Sequence, residues 1–423
     1  MQVASEKRSK LEKSNVEEIF ELSMIQKGML FHHLKGAQDN LYNAQLSLSI
    51  NGNLDANLIK ESFKAVQRKN ETLRSIFNWE KANKPLQIVL KECPFDFFYH
   101  DLSGTNDSEI NERIENYAQS DREKRFDLGQ LPIRLRLLKV TKLDYVFNVT
   151  HHHILYDGWS SSLMIKEIFE AYERLAREEY SGFNQKPNFK TVWRELLNIS
   201  DPVQSETFWK DYVKGYEITS LFSTSNAHLE NDTKVQKYSA SVPGSGLKRF
   251  AIEQKVTQAS VVYAAFGILL SKYIQKSDIV FGTTVSGRNP RINGIDQVIG
   301  NFINTVPLRV SKLSDKTLRE VVIGVNKDLI DRDAHVDTSY YEIKQLLGLQ
   351  PEESLFDAIL VVENYPVEDS LFGDQNNVKV KFKSNYENSD IPLVVNVFFK
   401  GKLEIDIIYK RCNVSDSFVE ELA

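Results

Sequence analysis

Segments with strand periodicity and segments with helix periodicity alternate along this chain, which leaves few architectures open. Residues 45–50 alternate polar and apolar side chains, as a half-buried strand does, and residues 51–53 (NGN) supply a turn. A helical stretch follows, with Leu58, Phe63 and Val66 on one face and charged residues on the other. This alternation predicts the α/β fold class.

The middle of the chain repeats the order of strand, loop and helix. Residues 145–150 form a strand pattern that runs into three consecutive histidines. Ser160 to Ser162 offer side chains that cap a helix N-terminus, and apolar residues then recur at helical spacing through Arg177. We therefore expect a strand, a polar loop that carries the histidines, and an amphipathic helix.

Two lobes of comparable size are predicted to meet near residues 180–190, where Gly, Asn, Gln and Pro are concentrated. Helical residues 260–273 belong to a second α/β stretch, which begins near Lys234. The helical pattern of residues 414–423 stops within a repeat, so we expect the last helix to be truncated. The predicted domains are a flank or linker over residues 1–17, an N-terminal lobe over residues 18–182 and a C-terminal lobe over residues 183–423.

Composition excludes several classes of partner. The chain has 423 residues and a net charge of -5, and it lacks the basic blocks that bind nucleic acid. The two cysteines, Cys93 and Cys412, are too few for a disulfide framework or a zinc cluster, which favours a reducing compartment. The N-terminal residues lack the apolar region of a signal peptide, and the longest apolar run, residues 261–270, is too short to span a bilayer. We expect a cytoplasmic protein without a membrane partner.

The stretch that carries the most chemistry is His151-His152-His153, followed by Asp157 and Gly158. Histidine titrates near neutral pH, so an imidazole at the end of a strand suits general acid–base work. The carboxylate of Asp157 either anchors a histidine ring or braces the loop. A metal site is the weaker interpretation, because neighbouring strand residues point to opposite faces. From spacing alone, a catalytic role and a packed structural role both remain open.

The same residues match a family signature. His152, His153, Asp157 and Gly158 fit the HHxxxDG pattern of condensation domains of nonribosomal peptide synthetases. Chloramphenicol acetyltransferases and plant acyltransferases share its HxxxD kernel. Other segments resemble further motifs of the condensation domains in the same order, from about residue 18 to the C-terminus. They are residues 22–32 (LSMIQKGMLFH), 68–77 (RKNETLRSIF), 126–128 (FDL) with Pro132, 286–288 (SGR), 299–305 (IGNFINT), 362–366 (VENYP) and 386–388 (YEN).

This resemblance implies a fold and an activity. The implied fold is α/β, with two chloramphenicol-acetyltransferase-like lobes arranged as a V-shaped pseudo-dimer and an active-site tunnel at their junction. The implied activity is peptide (amide) bond formation. A donor acyl or peptidyl thioester on an upstream carrier protein is transferred to the amine of an aminoacyl thioester on a downstream carrier protein.

The resemblance also implies the site residues, with His152, His153, Asp157 and Gly158 as its catalytic motif. His153 is the family's active-site histidine, either a general base or a group that positions the amine. His152 points to the opposite side and has a structural role, and Gly158 offers its backbone N–H near the thioester. Asp157 is expected to form a salt bridge with Arg288 of the C-terminal lobe. Expected tunnel or substrate-binding residues are Trp159, Ser286, Asn304 and Thr305, and no metal is expected.

Departures from related families leave two alternatives. Epimerisation domains share HHxxxDG but continue with Ser-Trp-Arg, whereas Gly158 is followed here by Trp159-Ser160-Ser161. A non-catalytic recruitment module of the same fold typically loses the histidines, which are intact here. The DFGWG motif of plant acyltransferases has only residues 371–374 (LFGD) as a counterpart. Condensation is therefore favoured over epimerisation and recruitment.

The expected partners are the donor and acceptor peptidyl carrier proteins and a neighbouring adenylation domain in a larger synthetase. The chain lacks an adenylation signature and the GGHSL-type serine motif of a carrier protein. We therefore expect no cofactor bound by this chain, with the substrates arriving on phosphopantetheine arms of the carrier proteins.

Overall fold

The computed structural model describes residues 12–36, 40–80, 84–179, 186–222, 232–350, 353–363 and 378–423. Across these ranges the chain forms a mixed α/β fold with three β-sheets, so the predicted fold class is confirmed. Outside them lie most of the predicted flank over residues 1–17, the interlobe residues 180–185, and residues 364–366 and 371–374. No helix in the described ranges is both long and apolar enough to cross a membrane.

The helices and strands follow the periodicities of the sequence. The strands are β1 (Val16–Glu21), β2 (Asn43–Gly52), β3 (Ser75–Asn78), β4 (Leu86–Leu90), β5 (Asp96–Asp101), β6 (Ile133–Lys139), β7 (Asp144–His152), β8 (Val235–Val242), β9 (Ile279–Val285), β10 (Asn304–Val310), β11 (Ala358–Glu363), β12 (Val378–Glu387), β13 (Leu393–Lys400) and β14 (Lys402–Lys410). The helices are α1 (Met24–Lys35), α2 (Ala56–Lys69), α3 (Asp107–Glu123), α4 (Gly158–Ala176), α5 (Phe189–Ile199), α6 (Pro202–Tyr212), α7 (Ser245–Gln254), α8 (Gln258–Ile274), α9 (Leu318–Asp333), α10 (Tyr340–Leu346) and α11 (Asp416–Leu422).

Contacts between residues divide the chain into two compact units that are interleaved along the sequence. The first unit takes its described residues from Met1–Leu197, Arg288–Phe302 and Tyr365–Asn388. The second takes them from Asn198–Gly287, Ile303–Asn364 and Ser389–Ala423. Three stretches of the predicted C-terminal lobe thus pack within the first unit: the described residues up to Leu197, Arg288–Phe302, and the described part of Tyr365–Asn388. The single boundary between residues 182 and 183 stays a prediction.

The first unit is built on a five-stranded sheet in the order β12-β2-β7-β6-β5. β7 pairs antiparallel with both β2 and β6, and every residue of β7 after Asp144 is buried. One edge of the sheet is β12, which pairs antiparallel with β2 although about 330 residues separate them along the chain. A smaller sheet, in the order β1-β4-β3, completes the strands of this unit.

The core of the first unit lies between the large sheet and the helices α2 and α4. Helix α2 contributes Ile59, Phe63 and Val66, three side chains at helical spacing that are nearly inaccessible to solvent. Helix α4 and strand β7 contribute further apolar side chains to the same cluster. Burial of this apolar surface holds the end of β7, where the histidines lie, against a rigid scaffold.

The second unit has a six-stranded sheet in the order β10-β9-β11-β13-β14-β8. β11 pairs parallel with β9 and β13, and the remaining strand pairs are antiparallel. Helices α8 and α9 cover a core that includes Phe266, Leu270 and Val322. The predicted helix over residues 260–273 corresponds to α8.

Candidate active site

The three consecutive histidines straddle the end of β7 and differ in burial. His151 pairs with Ile133 of β6, and His152 pairs with Asn43 of β2 as the last residue of the strand. His151 and His152 are buried at 2% and 0% exposure, whereas His153, just beyond the strand, is partly exposed. Of the three histidines, His153 is therefore the one that is not fully buried.

His152 is packed into the first unit. Its ring lies 5.1 Å from the ring of His33 on α1, edge to face, and its Nδ1 accepts a hydrogen bond from the backbone N–H of Ile154 at 3.1 Å. Burial, with a smaller effect of nearby His33, lowers the pKa of His152 well below its ordinary value. Burial also lowers the pKa of His33 to about 4. The two rings are thus neutral near pH 7 and fit a structural role.

The backbone of His153 is held on both sides. Its N–H donates to the carbonyl oxygen of Tyr42 at 2.8 Å, and its own carbonyl accepts from Nδ2 of Asn301 at 2.7 Å. Tyr42 has a φ of 64°, in the left-handed region, and its N–H donates to the carbonyl of Asn388 at 2.8 Å. The ring of His153 lies 5.3 Å from the ring of His151. These bonds fix the direction in which the His153 side chain leaves the backbone.

Asp157 begins helix α4 as its N-cap residue. Its Oδ1 accepts from the N–H of Ser160 at 2.8 Å, so the prediction that Ser160 to Ser162 cap the helix is wrong. A carboxylate at this position also meets the positive end of the helix dipole, which favours Asp157 over a hydroxyl group. Gly158 is the first helical residue, directly after the cap. Helix α4 therefore begins about one helical turn earlier than a serine cap at residues 160–162 would place it.

The salt bridge expected between Asp157 and Arg288 is present, and both of its side chains are buried. Nη2 of Arg288 lies 3.1 Å from Oδ1 of Asp157, with side-chain exposures of 4% and 3%. The same nitrogen donates to Oγ of Ser160 at 2.8 Å, and Nη1 donates to the carbonyls of Ile295 and Val298. Among the two interpretations of the Asp157 carboxylate, these contacts support the one in which it braces the loop.

Arg288 belongs to a segment, Arg288–Phe302, that packs within the first unit. The N–H of Phe302 donates to Oδ2 of Asp157 at 3.0 Å, and Nε1 of Trp159 donates to the carbonyl of Asp296 at 2.9 Å. Gly300 lies so close to α5 that a Cβ atom there would come within 2.5 Å of Cε2 of Phe189. The segment thus packs against the histidine loop on the side of Asp157.

The three other predicted substrate-binding residues lie in the second unit. Ser286 is exposed at the end of β9, and Thr305 is partly exposed on β10. Asn304 is buried, and its Nδ2 donates to the carbonyls of Val336 and Thr338 at 2.8 and 2.7 Å. These bonds give Asn304 a structural function in its own unit, and substrate binding by the three residues stays a prediction.

Two residues that support the histidine loop were missed by the sequence analysis as site residues. Nε2 of Gln26 on α1 donates to the carbonyl of Ile154 at 3.0 Å, and Asn301 donates to His153 as described above. Gln26 also forms a capping box with Ser23, and the spacing of these two residues was a readable signal for the start of α1. No local pattern signals the contact of Asn301, which is nearly 150 residues from His153 in sequence.

The arrangement places a partly exposed histidine, His153, in the loop that the buried ion pair of Asp157 and Arg288 holds. A partly exposed histidine can accept a proton or a hydrogen bond from an amine. Gly158 begins a helix of 19 residues, whose N-terminal backbone N–H groups favour negative charge. Among the residues that the structure describes, no group of three or more His, Cys, Asp or Glu side chains is arranged to hold a metal ion.

Comparison with known proteins identifies the family. The family model described as "Condensation domain" matches residues 16–423. Tyrocidine synthase 2 of Brevibacillus parabrevis is 30% identical over 421 residues, which cover 97% of this chain and 12% of the synthase. Surfactin synthase subunit 3 of Bacillus subtilis (strain 168) is 28% identical over 405 residues, or 95% of this chain and 31% of that subunit. The chain thus spans less than a third of the length of these relatives.

Solved structures show the same fold. A four-domain nonribosomal peptide synthetase bound to AMP and glycine matches 96% of this chain with a TM-score of 0.82 and 18% identity, and the match covers 32% of that chain. The first condensation domain of the calcium-dependent antibiotic synthetase, in complex with a substrate analogue, matches with a TM-score of 0.79 and 17% identity over 96% of this chain and 94% of that chain. The chloramphenicol-acetyltransferase-like fold implied by the sequence motifs is thereby confirmed. The chain belongs to the condensation domains of nonribosomal peptide synthetases, which are acyltransferases that form amide bonds.

Proposed function

We propose that this chain joins a donor acyl or peptidyl group to a carrier-bound amino acid. The nitrogen of the acceptor amine attacks the carbonyl carbon of the donor thioester, the C–N bond forms and the C–S bond breaks. One amine proton is lost and the donor thiol is released in its protonated form, so the atoms balance without an oxidant or a reductant. The lengthened chain remains on the acceptor carrier protein.

The position of His153 carries this proposal. His153 is partly exposed, whereas His151 and His152 beside it are buried, and its backbone is held by Tyr42 and Asn301. A fixed imidazole either removes the proton of the attacking amine or holds that amine by a hydrogen bond in attack geometry. General-base help contributes typically about 10²–10⁴-fold, and positioning contributes comparably or more.

Between these two roles we favour positioning, together with stabilisation of the tetrahedral intermediate. A thioester is already an activated acyl donor, so its reaction with an amine depends mainly on orientation and on the charge that develops at the carbonyl oxygen. The backbone N–H of Gly158, at the start of α4, is the group proposed to lie near the thioester. Asp157 and Arg288 brace the loop, and His152 supports it from the interior.

Substrate binding is proposed for Trp159, Ser286, Asn304 and Thr305. The partial exposure of Trp159 and Thr305 and the exposure of Ser286 are compatible with this role. Asn304 would act through the backbone that its amide holds, since both hydrogens of that amide are used by Val336 and Thr338.

The proposed partners are a donor and an acceptor peptidyl carrier protein, with an adenylation domain next in the same synthetase. The relatives support this proposal because they are synthetases several times longer than this chain. The substrates would arrive on the phosphopantetheine arms of the carriers, and the chain itself would bind no cofactor. A cytoplasmic location belongs to the same proposal.

A reconstituted transfer reaction tests this function. One carrier protein is loaded with an acyl or peptidyl thioester, a second with an aminoacyl thioester, and the products are followed by mass spectrometry of the intact carriers. We expect the donor mass to move to the acceptor carrier only in the presence of the chain. Inversion of the substrate α-carbon without transfer would instead indicate epimerisation, and binding of carriers without either reaction would indicate recruitment.

A further inference from the structure

We propose that Asn301 is a positioning residue for His153, acting through the backbone carbonyl of the histidine. The inference rests on the role proposed above for His153. It adds a residue from a distant segment that orients the imidazole without contacting the substrate.

The geometry of Asn301 is that of a dedicated support. Its side chain is buried at 2% exposure, and Nδ2 donates to the carbonyl oxygen of His153 at 2.7 Å. The same nitrogen lies 3.5 Å from Sδ of Met29 on α1. A carbonyl at the end of a strand has left the ladder of the sheet, so this amide supplies the hydrogen bond that the strand no longer provides.

Three successive residues hold the histidine loop at its two ends. Asn301 binds His153, at the start of the loop. Gly300 and Phe302 bind Asp157, at the end of the loop, since the carbonyl of Gly300 accepts from the N–H of Asp157 and the N–H of Phe302 donates to its carboxylate. Loss of the Asn301 amide therefore releases the histidine end, while the ion pair and the bonds to Asp157 still hold the segment in place.

The consequence for the reaction follows from the direction of the side chain. With its N–H bound to Tyr42 and its carbonyl bound to Asn301, the peptide groups on both sides of the His153 Cα atom are fixed. A rotation of either peptide moves the imidazole relative to the amine that it holds. A displacement of about 1 Å costs on the order of 10²-fold in rate, even when its cause lies outside the reacting groups.

Two substitutions of Asn301 separate the loss of its hydrogen bond from a change in side-chain volume. Asn301→Leu removes the donor at similar volume and adds no charge. Asn301→Asp keeps the shape but places an oxygen against the carbonyl of His153, and only the protonated carboxyl group can donate. The matched controls are Gln67→Met and Gln67→Glu, because Gln67 is buried at 4% exposure in the same unit and its amide donates to the carbonyl of Leu73 at 3.0 Å.

The measurements are kcat and KM for amide formation, the urea unfolding midpoint, and the NMR resonances of [13Cε1]-histidine assigned with His153→Ala. For Asn301→Leu we expect kcat to fall about 10- to 100-fold with KM for the acceptor carrier within about twofold, and the His153 resonance to shift. For Asn301→Asp we expect the ratio of its kcat to that of the parent to rise as the pH falls, because protonation restores the donor. The Gln67 variants should keep the parent kcat and the parent His153 resonance.

Three results would overturn the proposal. One is an unchanged kcat in Asn301→Leu. Another is a loss of activity that only follows the unfolded fraction, or that the Gln67 variants match. The third is a ratio of the kcat of Asn301→Asp to the kcat of the parent that does not change with pH. If the parent chain forms no amide, the proposed function fails. The NMR resonance of His153 then tests only whether Asn301 orients His153. An unshifted His153 resonance in Asn301→Leu would reject that orientation.

Discussion

At the scale of single residues, the histidine loop depends on the buried ion pair between Asp157 and Arg288. The guanidinium group binds the carboxylate, the hydroxyl of Ser160 and two backbone carbonyls of its own segment. Removing one charge from a buried pair leaves the other without compensation, and this costs more than the pair itself contributes. The carboxylate thus links the loop, helix α4 and the segment Arg288–Phe302.

Asp157→Asn is therefore expected to lower the free energy of unfolding by about 3–5 kcal/mol, measured by urea denaturation. Asparagine still caps α4, so the loss reports the missing charge opposite Arg288. Glu206→Gln is the control, because Glu206 and Lys210 form an exposed pair at helical spacing, and its effect should stay within about 0.5 kcal/mol. Parent-like stability of Asp157→Asn with lost amide formation would mean that the carboxylate acts on the substrate instead.

The sequence identified some residues of this site and missed others for a physical reason. His153, Asp157 and Arg288 were identified through the resemblance of the histidine stretch and of residues 286–288 to family motifs. The cap of α4 was misplaced because serine and aspartate both suit the N-cap position, and the spacing of residues does not show where the backbone enters the helix. Asn301 lies within the motif at residues 299–305, but its role was missed, because an asparagine that supports a distant carbonyl is indistinguishable in sequence from one on the surface.

At the scale of elements, the packing of the segment Arg288–Phe302 against α5 positions the histidine loop. Phe189 and Val192 of α5 form an apolar cluster with Ile292, Val298 and other residues of the segment. Gly300 lies at the closest approach, where there is no room for a side chain. The segment is thus fixed by packing on one side and by the Asp157–Arg288 pair on the other.

Gly300→Ala is expected to destabilise the protein by about 1–3 kcal/mol, because the added methyl group would collide with the rings of Phe189 and Phe302. Gly324→Ala is the matched control within helix α9, where the added Cβ would meet no atom within 4 Å beyond the neighbouring backbone of the helix itself. Alanine favours the helix, so this variant should be more stable than the parent by up to about 1 kcal/mol. Unfolding midpoints that move in the same direction for both variants would contradict this account.

At the scale of the whole molecule, each compact unit is assembled from stretches that are not consecutive in the sequence. Strand β12 completes the sheet of the first unit, and Asn388, directly after it, binds Tyr42 and Asn43. Periodicity predicted several helices and strands, such as α2, α4 and β7, because side-chain spacing is a local property. Which strand adds to which sheet depends on pairing across hundreds of residues, and no local pattern encodes it.

Burial of uncharged histidines predicts an effect of pH on the whole molecule. The pKa of His33 is lowered to about 4, mainly by burial, and the pKa values of His151 and His152 are lowered for the same reason. The unfolded chain, where histidine titrates near pH 6.5, therefore binds more protons than the folded chain as the pH falls below that value. This contribution lowers the free energy of unfolding between about pH 6.5 and pH 4, by on the order of 2–3 kcal/mol for His33 alone.

Urea unfolding of the parent and of His33→Gln between pH 7.5 and pH 4.5 isolates this contribution. Burial raises the pKa values of Glu71 and Asp328, which titrate with the opposite effect on stability, so the difference between the two proteins is the useful quantity. We expect the parent to lose more stability than His33→Gln as the pH falls. Parallel pH curves for the two proteins would contradict a neutral buried His33.

The role of His153 in amide formation is tested by the single-turnover rate of the parent and of His153→Ala, with both carrier proteins loaded. His153 is only partly buried, so the unfolding midpoint should change less than on truncation of a fully buried histidine such as His151. We expect the rate to fall by about 10²-fold or more in a protein that remains folded. A folded His153→Ala variant that forms the amide at the parent rate would contradict it.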